Sequence, residues 1–433
     1  MIDLAKAGRE RFLQAFGRVD RPSADQLLAL SETVARCAPG FAPPIAEQVL
    51  AGYETLSETE RRAFLSGLAS RFTPDLDRLD RAVAAFRRRS DPAALAELHL
   101  ASEPRRQQLF RNLNLARDGT ARLVRMRSEL GRWRRDVANF ETLDADLSHL
   151  LSAWFNTGFL RLVRIDWSSP ASLLRKIIAY EAVHEIGDWD ELRRRLEPED
   201  RRCYAFFHSG MPDEPLIFVE VALTTQIPQS IDALLSPSRE PSPPDQAHTA
   251  VFYSISNCQD GLRGIPFGAP LIKQVVELLR SELPGLRTFV TLSPLPGLRA
   301  WVEAQAEDPG IGPVARAALG GDPSAEHVRL LAARYLVSAK TGSGQVLDPV
   351  GRFHLGNGAC VYDIHPGADQ SAKAAEQSFG AMVNYLYDLR SLERNRASLD
   401  RGGPVAATGR IRALGRRLSR PIGKGAAAAP PRR

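Results

Sequence analysis

A glycine-rich turn between an apolar strand and an amphipathic helix is the first part of this sequence whose residue types suggest chemistry. It lies in 251-VFYSISNCQDGLRGIPFGAPLIKQVVELLRSELPG-285. Gly261, Gly264 and Gly268 can adopt backbone angles closed to other residues and let a ligand approach closely. The helix predicted to begin near Ala269 would direct its free N–H groups to the same place. This combination favours an anion, most often a phosphate, although a plain strand-to-helix connection would look similar.

A serine at the end of another apolar strand is the second candidate. In 290-VTLSPLPGLRAWV-302, Ser293 is followed at once by Pro294 and, two residues later, by Pro296. Because proline cannot continue a ladder, we expect the strand to end at the serine and the hydroxyl to be held there. Strand ends are where α/β folds place reactive groups. On physical grounds alone, a serine that merely ends a strand before a proline turn is the stronger interpretation.

A histidine beside a glycine turn is the third candidate. In 351-GRFHLGNGACVYDI-364, His354 precedes a Gly-Asn-Gly turn and an apolar strand. An imidazole there could donate or accept a proton near neutral pH. A lone histidine beside a turn is more often structural, so neither His354 nor Ser293 identifies a site by itself.

The elements that must position these residues change character near residue 155. Before it, apolar residues recur at spacings of three and four, which predicts an all-helical domain. After it, strands are predicted at 202–208, 215–223, 250–256, 287–293 and 358–364. Helices are predicted at 170–180, 269–283, 323–338 and 373–396. Residues 235–248 contain four prolines and are predicted to be an exposed loop.

The positive charge of the chain is confined to its C-terminal end. The net charge is +6, but residues 401–433 hold nine Lys/Arg and no acid, which leaves −3 for the other 400 residues. That segment is rich in Gly, Ala and Pro, so we expect a disordered, solvated tail. A nucleic-acid partner is therefore not expected, although a binder or scaffold that uses the basic tail is an alternative of another class.

The composition indicates a soluble protein of the cytoplasm. The four cysteines lie far apart without metal-ligand spacing, and the eight histidines form no paired motif, so neither disulfides nor a metal are expected. No apolar run approaches the roughly 20 residues that cross a bilayer. The N-terminal segment 1-MIDLAKAGRERFLQAF-16 is predicted to be an amphipathic helix and not a signal peptide.

Two resemblances connect these features. The turn 259-QDGLRG-264 resembles the loop with which GNAT acyltransferases bind the diphosphate of coenzyme A. The whole sequence from about residue 10 to 396 resembles the malonyl-CoA decarboxylase family, whose members have a helical oligomerisation domain followed by a GNAT-like catalytic domain. The segments that carry this resemblance are 154-WFNTGFLRL-162, 182-AVHEIGDWDELRRRL-196, 202-RCYAFFHSGMPDEPLIFVEVALT-224, 252-FYSISNCQDGLRGIPFGAPLIKQVV-276, 291-TLSPLPGL-298, 353-FHLGNGA-359 and 382-MVNYLY-387.

The resemblance implies an α+β multidomain organisation and particular site residues. It divides the chain into a helical domain at 1–155 that joins subunits into a dimer or tetramer, a GNAT-like mixed α/β domain at 156–398, and the basic tail at 399–433. The family's serine and histidine motifs fall on Ser293 and His354, and its tyrosine falls on Tyr387, with Asn357 as a further support. Coenzyme A phosphates would contact the residues of the turn, which are Gln259, Asp260, Gly261, Leu262, Arg263 and Gly264. Pro266 stands where some family members have a glutamate.

Decarboxylation of malonyl-CoA is the reaction that the resemblance implies. The thioester carbonyl accepts the electrons released by the broken carbon–carbon bond, so no cofactor is expected. The protein must supply a hydrogen-bond donor to the developing enolate oxygen and then a proton. We assign these roles to Ser293 and His354, although Ser293 could instead orient the carboxylate of the substrate. An acetyl-CoA-dependent acyltransferase is the alternative enzyme on the same scaffold.

Overall fold

The computed structural model describes residues 22–265, 267–321 and 323–418. Pro266, the amphipathic helix predicted at residues 1–16 and the last part of the basic tail lie outside the described residues. The chain divides into two compact units. The first contains the chain up to Arg161 and the segments Phe207–Leu216 and Cys258–Phe267, and the second contains the remaining residues.

The first unit is helical, as its periodicity predicts. Ser23 and Ser57 begin two of its helices with reciprocal hydrogen bonds to Gln26 and Glu60, which satisfy N–H groups that the helix leaves open. The apolar faces of most of these helices form one continuous core, in which residues such as Phe110 are fully buried. Within the described residues the helices are α1 (Ala24–Arg36), α2 (Pro43–Thr55), α3 (Glu58–Arg71), α4 (Leu76–Arg88), α5 (Pro92–Ser102), α6 (Arg105–Leu113), α7 (Gly119–Arg132) and α8 (Phe140–Trp154).

A mixed β-sheet organises the rest of the described chain. Its strand order is β1-β2-β3-β4-β5-β8-β6, with β7 also paired to β8. β4 and β5 are parallel, whereas the other neighbouring strands from β2 onward in the described residues pair antiparallel. The strands are β1 (Leu160–Ile165), β2 (Arg201–His208), β3 (Ile217–Thr224), β4 (Thr249–Asn257), β5 (Thr288–Thr291), β6 (Ser293–Pro294), β7 (Cys360–His365) and β8 (Met382–Leu386).

A β-bulge interrupts the pairing of β3 and β4. Glu220 faces Ser254 and Val221 faces Phe252, so Tyr253 is one extra residue in β4. A bulge bends its strand and takes the extra residue out of the regular ladder. Tyr253 therefore stands apart from the regular pairing of the sheet.

Helices connect and cover these strands. They are α9 (Ala171–Tyr180), α10 (Trp189–Leu196), α11 (Ile231–Leu235), α12 (Ala269–Glu282), α13 (Leu298–Ala304), α14 (Gly312–Leu319), α15 (Ala325–Ser338), α16 (Pro349–Gly356), α17 (Ala372–Ser378), α18 (Leu392–Asp400) and α19 (Gly409–Arg417). The predicted order of a helical region followed by a mixed α/β region is confirmed. The predicted strands all exist, and residues 236–243 form the expected loop.

Two predictions about the C-terminal part of the chain are wrong. The helix predicted at 373–396 is interrupted by strand β8, because Phe379 and Gly380 turn the chain with φ of 55° and 71° and end α17. The disorder predicted from residue 399 does not extend over the described part of the tail. Its helix α19 buries Ile411 completely, and Gly415 lies close to the backbone of Ala333 in α15.

The apolar spacing of Ile411 and Leu414, together with the close approach allowed by Gly415, lets this basic segment pack in spite of its charge.

No helix in the described part of the chain is long and apolar enough to span a membrane.

Candidate active site

A cavity of about 270 Å³ lies in the second unit and contains two of the predicted catalytic residues. Ser293 and His354 are on its wall, together with Tyr253 of the β-bulge. Most of the other lining is apolar and comprises Val183, Phe252, Ile255, Pro349, Val350 and Phe353. The cavity is therefore a largely apolar pocket with a few hydrogen-bonding groups, which is typical of a small-molecule site.

Ser293 stands next to the end of strand β5, close to where the sequence predicts it. The regular ladder of β5 stops at Thr291, and Ser293 and Pro294 then form the short strand β6 opposite Val383 and Met382. The expectation that Pro294 would end all pairing is wrong by this one residue. A two-residue strand at the end of the sheet order tolerates a proline, because an edge position does not need its missing N–H.

Thr291 fixes the direction of the Ser293 hydroxyl. The two side chains are two residues apart in an extended segment, and Ser293 Oγ donates to Thr291 Oγ1 at 2.8 Å. Thr291 Oγ1 also accepts the backbone N–H of Tyr385 at 3.1 Å. Thr291 is fully buried, so this contact is shielded from solvent.

Helix α16 positions His354. Asp348 caps the helix by accepting the N–H of Gly351, and Pro349 at its first position suits the fixed φ of proline. The second carboxylate oxygen of Asp348 accepts the hydroxyl of Tyr335 at 3.2 Å. A buried cap therefore ties the start of α16 to helix α15 and holds the turn of helix that carries His354.

His354 joins three side chains. Its Nε2 lies 3.2 Å from Ser293 Oγ, and its Nδ1 lies 2.8 Å from the Tyr387 hydroxyl. Its ring stacks on Tyr385 with centroids 4.7 Å apart and planes 27° apart. The imidazole is thus held at both nitrogens and across one face.

The hydrogen bonds assign one tautomer to His354. Because Ser293 donates its proton to Thr291, its oxygen is free to accept, and His354 Nε2–H is the donor to it. The other nitrogen, Nδ1, then accepts the proton of Tyr387. The groups form a directed chain from Tyr387 through His354 and Ser293 to Thr291.

Burial controls the charge of this chain. Desolvation lowers the pKa of His354 to about 3, so the imidazole is neutral at physiological pH. Desolvation also raises the pKa of Tyr387 well above its usual value, and the neighbouring Asn357 opposes this rise by a smaller amount. Among the described residues, the buried Nδ2 of Asn357 has no hydrogen-bond partner. The predicted residues Ser293, His354 and Tyr387 are therefore joined in a neutral hydrogen-bonded network, with the predicted Asn357 beside Tyr387.

The predicted coenzyme-binding turn belongs to the first unit. Its residues Asp260–Leu262 form a short 3₁₀ turn, and helix α12 begins at Ala269 as predicted. Gly264 has a φ of 84°, which favours glycine. The other strict requirement is at Gly261, where a Cβ atom would lie 1.9 Å from the carbonyl oxygen of Val124. Gly261 is thus explained by close packing on α7.

Hydrogen bonds within the turn occupy part of its backbone. The N–H groups of Leu262 and Arg263 donate to the carbonyls of Gln259 and Asp260. Arg127 of α7 donates to the carbonyls of Gly261 and Arg263 and pairs with Asp144, which anchors the turn to the helices.

Side chains of the turn have protein partners as well. Gln259 donates to the carbonyl of Pro215, and Arg263 pairs with Asp260 in an exposed ion pair. The phosphate-binding role of residues 259–264 stays a prediction.

Sequence reasoning missed two residues of the site. Thr291 precedes Ser293 by two positions, and the strand period of two places both on the same face. The pattern TLS at residues 291–293 therefore contains the information that places Thr291 beside Ser293. Tyr385, which stacks on His354, was hidden because its segment was predicted to be helical.

A buried serine–histidine–tyrosine chain on the wall of an apolar pocket is an arrangement typical of enzyme active sites. Two family descriptions match this sequence, namely the malonyl-CoA decarboxylase N-terminal domain at residues 72–155 and the malonyl-CoA decarboxylase C-terminal domain at residues 158–422. The chain belongs to the malonyl-CoA decarboxylase family.

Individual relatives agree with this membership. The mitochondrial malonyl-CoA decarboxylase of Rattus norvegicus is 34% identical over 395 residues, which are 80% of this chain and 80% of the relative. The crystal structure of malonyl-CoA decarboxylase from Rhodopseudomonas palustris has 47% identity and a TM-score of 0.84, and the match covers 90% of this chain and 100% of that one. The enzyme structure from Agrobacterium vitis has 46% identity and a TM-score of 0.85, covering 90% and 99%.

Proposed function

We propose that this protein converts malonyl-CoA to acetyl-CoA and CO₂ in the pocket lined by Ser293 and His354. The observation that carries the proposal is the directed chain of hydrogen bonds from Tyr387 through His354 to Ser293. It supplies a hydroxyl donor and a proton source side by side, which are the two groups that the reaction needs.

The pocket volume supports binding of the acyl end of the substrate. At about 270 Å³ it is slightly smaller than the roughly 300–1,000 Å³ typical of sites that hold whole drug-sized ligands. The malonyl thioester and the adjoining part of the coenzyme arm fit this scale, and the nucleotide would lie elsewhere. The residues of the turn, Gln259 to Gly264, are our proposed contacts for its phosphates, with unshared N–H groups as donors.

Ser293 acts while the carbon–carbon bond breaks. The bond between the α-carbon and the carboxylate releases CO₂, and its electron pair moves to the α-carbon and onto the thioester oxygen as an enolate. The Ser293 hydroxyl turns from Thr291 to donate to that oxygen, where negative charge grows. Rotation of this one O–H bond is a small reorganisation, since the Ser293 oxygen itself is already held in the buried pocket.

His354 supplies the proton that completes acetyl-CoA. Its Nε2–H transfers a proton to the α-carbon, and Nδ1 takes the proton of Tyr387, so the imidazole stays neutral. The resulting Tyr387 oxyanion is stabilised by Asn357, the group that lowers its pKa. Tyr387 then takes its proton back from Nδ1 while a proton from solvent protonates Nε2, which restores the starting tautomer and balances the atoms and charges of the cycle.

The reaction needs no cofactor in this proposal, because the thioester carbonyl is the electron acceptor. Purified protein incubated with malonyl-CoA is expected to form acetyl-CoA and CO₂ in equal amounts after extensive dialysis against EDTA. Loss of activity that a divalent ion restores would contradict the cofactor-free mechanism, and absence of acetyl-CoA under all conditions would contradict the proposed function. Placement in the cytoplasm stays a prediction, since the curated relative from Rattus norvegicus is described as mitochondrial.

Replacement of Ser293 and His354 separates the two chemical steps. Ser293→Ala is expected to lower turnover about 100- to 1,000-fold with a much smaller effect on malonyl-CoA binding. His354→Asn is expected to slow turnover and, with chirally labelled malonyl-CoA in heavy water, to abolish the stereochemical control of deuterium uptake, since water can still protonate the enolate. Wild-type turnover in the first variant, or unchanged rate and stereochemistry in the second, would assign these steps to other residues.

A further inference from the structure

A second cavity in the second unit is lined by four arginines. It has a volume of about 200 Å³ and lies between helix α10 and the loop that follows α11. The arginines on its wall are Arg194, Arg195, Arg201 and Arg239. Glu191 is the single acidic residue on this wall. None of these residues lines the pocket of Ser293 and His354.

Two of the arginines are neutralised by carboxylates. Arg239 makes two hydrogen bonds to Asp200, at 2.6 and 3.0 Å. Arg195 lies 2.5 Å from Glu191 and 3.3 Å from Glu220. These pairs account for every carboxylate that contacts the four arginines within the described residues.

Arg201 is buried without such a partner. It is 2% exposed, and its guanidinium donates at 2.6 Å to the carbonyl oxygen of Leu234. One face of the guanidinium lies over the ring of Tyr253, 5.8 Å from its centroid. Burial lowers the pKa of Arg201, although Tyr253 and the nearby carboxylates of Asp200 and Glu220 oppose the shift.

Arg194 adds a second positive charge at the same cavity. Arg194 lies on the exposed side of α10, and no described carboxylate pairs with it. By contrast, its neighbour Arg193 is paired bidentately with Glu197. The four arginines thus face three carboxylates, Glu191, Glu220 and Asp200, which leaves a net positive charge and two arginines, Arg194 and Arg201, without a carboxylate of their own.

We propose that this cavity binds a phosphate group, either as inorganic phosphate or as part of a small phosphate monoester. The planar guanidinium offers paired N–H donors that match the oxygens of phosphate. Arg194 and Arg201, the two arginines without a paired carboxylate, can both donate to the oxygens of one phosphate. A buried cation that lacks a partner is costly, so an anion that replaces its lost hydration is bound favourably.

The position of the site links it to the catalytic pocket through one side chain. Arg201 covers the ring of Tyr253, and Tyr253 also lines the pocket of Ser293 and His354. Phosphate at Arg201 is therefore one aromatic ring away from the proposed substrate. It is a separate site, since its lining shares no residue with that pocket.

The test is calorimetric titration of the full-length protein with inorganic phosphate and with glycerol 3-phosphate, using acetate as a monoanionic control. Arg201→Met keeps the apolar stem and removes the charge, and Arg194→Gln removes the exposed charge with little risk to folding. Arg193→Gln, on the same helix, is the matched control. We expect binding of at least one phosphate compound, weakened about tenfold or more by either test substitution and unchanged by the control.

The titration is repeated with the catalytic pocket saturated by acetyl-CoA. Phosphate binding that persists and stays sensitive to Arg194→Gln supports the second site, and the two phosphate compounds distinguish a free ion from a monoester. Absence of binding by both phosphate compounds would overturn the proposal. So would equal affinity in Arg194→Gln and wild type, or complete displacement by acetyl-CoA. None of these results depends on decarboxylase activity.

Discussion

At the scale of single residues, His354 differs from a surface histidine in its pKa and in being held in one tautomer. Its pKa of about 3 lies below the value of an exposed imidazole, because burial removes the water that would stabilise the charged form. The His354 imidazole therefore binds a proton near pH 6.5 in the unfolded chain but only near pH 3 in the folded protein. The stability contributed by this group is complete above the unfolded value and is lost as the pH falls through this window.

The first prediction is that His354 does not titrate between about pH 5 and 8. In the folded protein with ¹⁵N-labelled histidine, its ring signals are expected to stay constant and to show the Nε2–H tautomer throughout. The His354→Asn variant identifies the resonances by their disappearance. A midpoint near pH 6.5, or the Nδ1–H tautomer, would be inconsistent with the hydrogen-bond chain described above.

The second prediction concerns Thr291, which we interpret as a positioning residue. Thr291→Val keeps the shape of the side chain but removes the oxygen that accepts Ser293 Oγ–H and the N–H of Tyr385. We expect kcat to fall roughly 3- to 10-fold, the effect of one hydrogen bond, with KM nearly unchanged.

Two further variants give this prediction its controls. Thr291→Ser restores the hydroxyl and is expected to recover most of the turnover. Thr288→Val, at the other end of strand β5, is expected to behave as wild type. If Thr291→Ser were as impaired as Thr291→Val, packing of the methyl group would be the cause and not the hydroxyl.

At the scale of elements, the buried cap of helix α16 has a pH dependence of its own. Desolvation raises the pKa of Asp348 to about 6, although hydrogen bonds from Gly351 and Tyr335 oppose the shift. The folded protein therefore holds this proton more tightly than the unfolded chain. The stabilisation that follows is present at acidic pH and is lost as the pH rises through 6.

The third prediction is that Asp348→Asn gains stability relative to wild type as the pH rises. Asparagine can still cap α16, and it carries no charge to bury. Between about pH 5 and 8, the difference in unfolding free energy should move toward the variant by on the order of 1 kcal/mol. Urea denaturation of both proteins at the two pH values measures this difference.

A second substitution at the same position separates charge from capping. Asp348→Ala removes the cap and is expected to be less stable than Asp348→Asn by about 0.5–2 kcal/mol at both pH values. A difference between Asp348→Asn and wild type that did not change with pH would show that the carboxyl titrates normally.

The sequence predicts elements where local pattern and packing agree, and it fails where a single turn decides the outcome. The strands around Ser293 and the helix from Ala269 follow from apolar spacing and proline positions, and both are present. Strand β8 was missed because its apolar residues also fit a helical spacing. The left-handed backbone at Phe379 ends the helix and allows the strand, and a phenylalanine does not predict that conformation.

The active site likewise has features that the sequence predicts and features that it does not. Ser293, His354, Tyr387 and Asn357 could be named from the family resemblance, but their order along one hydrogen-bond chain could not. That order depends on which oxygen Ser293 faces, and the answer lies in Thr291. The glycines of the turn do not by themselves indicate a ligand, because close packing on Val124 already requires a glycine at position 261.

At the scale of the whole molecule, exposed leucines on the helical unit suggest how copies assemble. Leu95 and Leu100 on α5 are each 54% exposed, and Leu76 at the start of α4 is 65% exposed. Scattered apolar residues are normal on a surface, but three on adjacent helices are suited to a self-complementary contact.

The fourth prediction is that the native protein is a dimer or tetramer held through this surface. Light scattering after size exclusion is expected to give a multiple of the 47.6 kDa chain mass, whereas a Leu95→Glu, Leu100→Glu double variant is expected to give a smaller assembly. Leu278→Glu, an exposed leucine on α12, is the matched control and should leave the mass unchanged. A monomeric mass for the unmodified protein would exclude the prediction.

The composition of the first unit also has a consequence in time. Its helices come from the chain before Arg161, but Cys258–Phe267, which carries Gly261 against α7 and receives Arg127, is made about a hundred residues later. At roughly 5–20 residues per second, a ribosome needs about 5–20 s to supply it. During that interval strands β2, β3 and β4 also emerge, so the two units cannot be completed one after the other. A truncated chain that ends at residue 155 would lack the carbonyl groups of Gly261 and Arg263, to which Arg127 donates in the full-length protein.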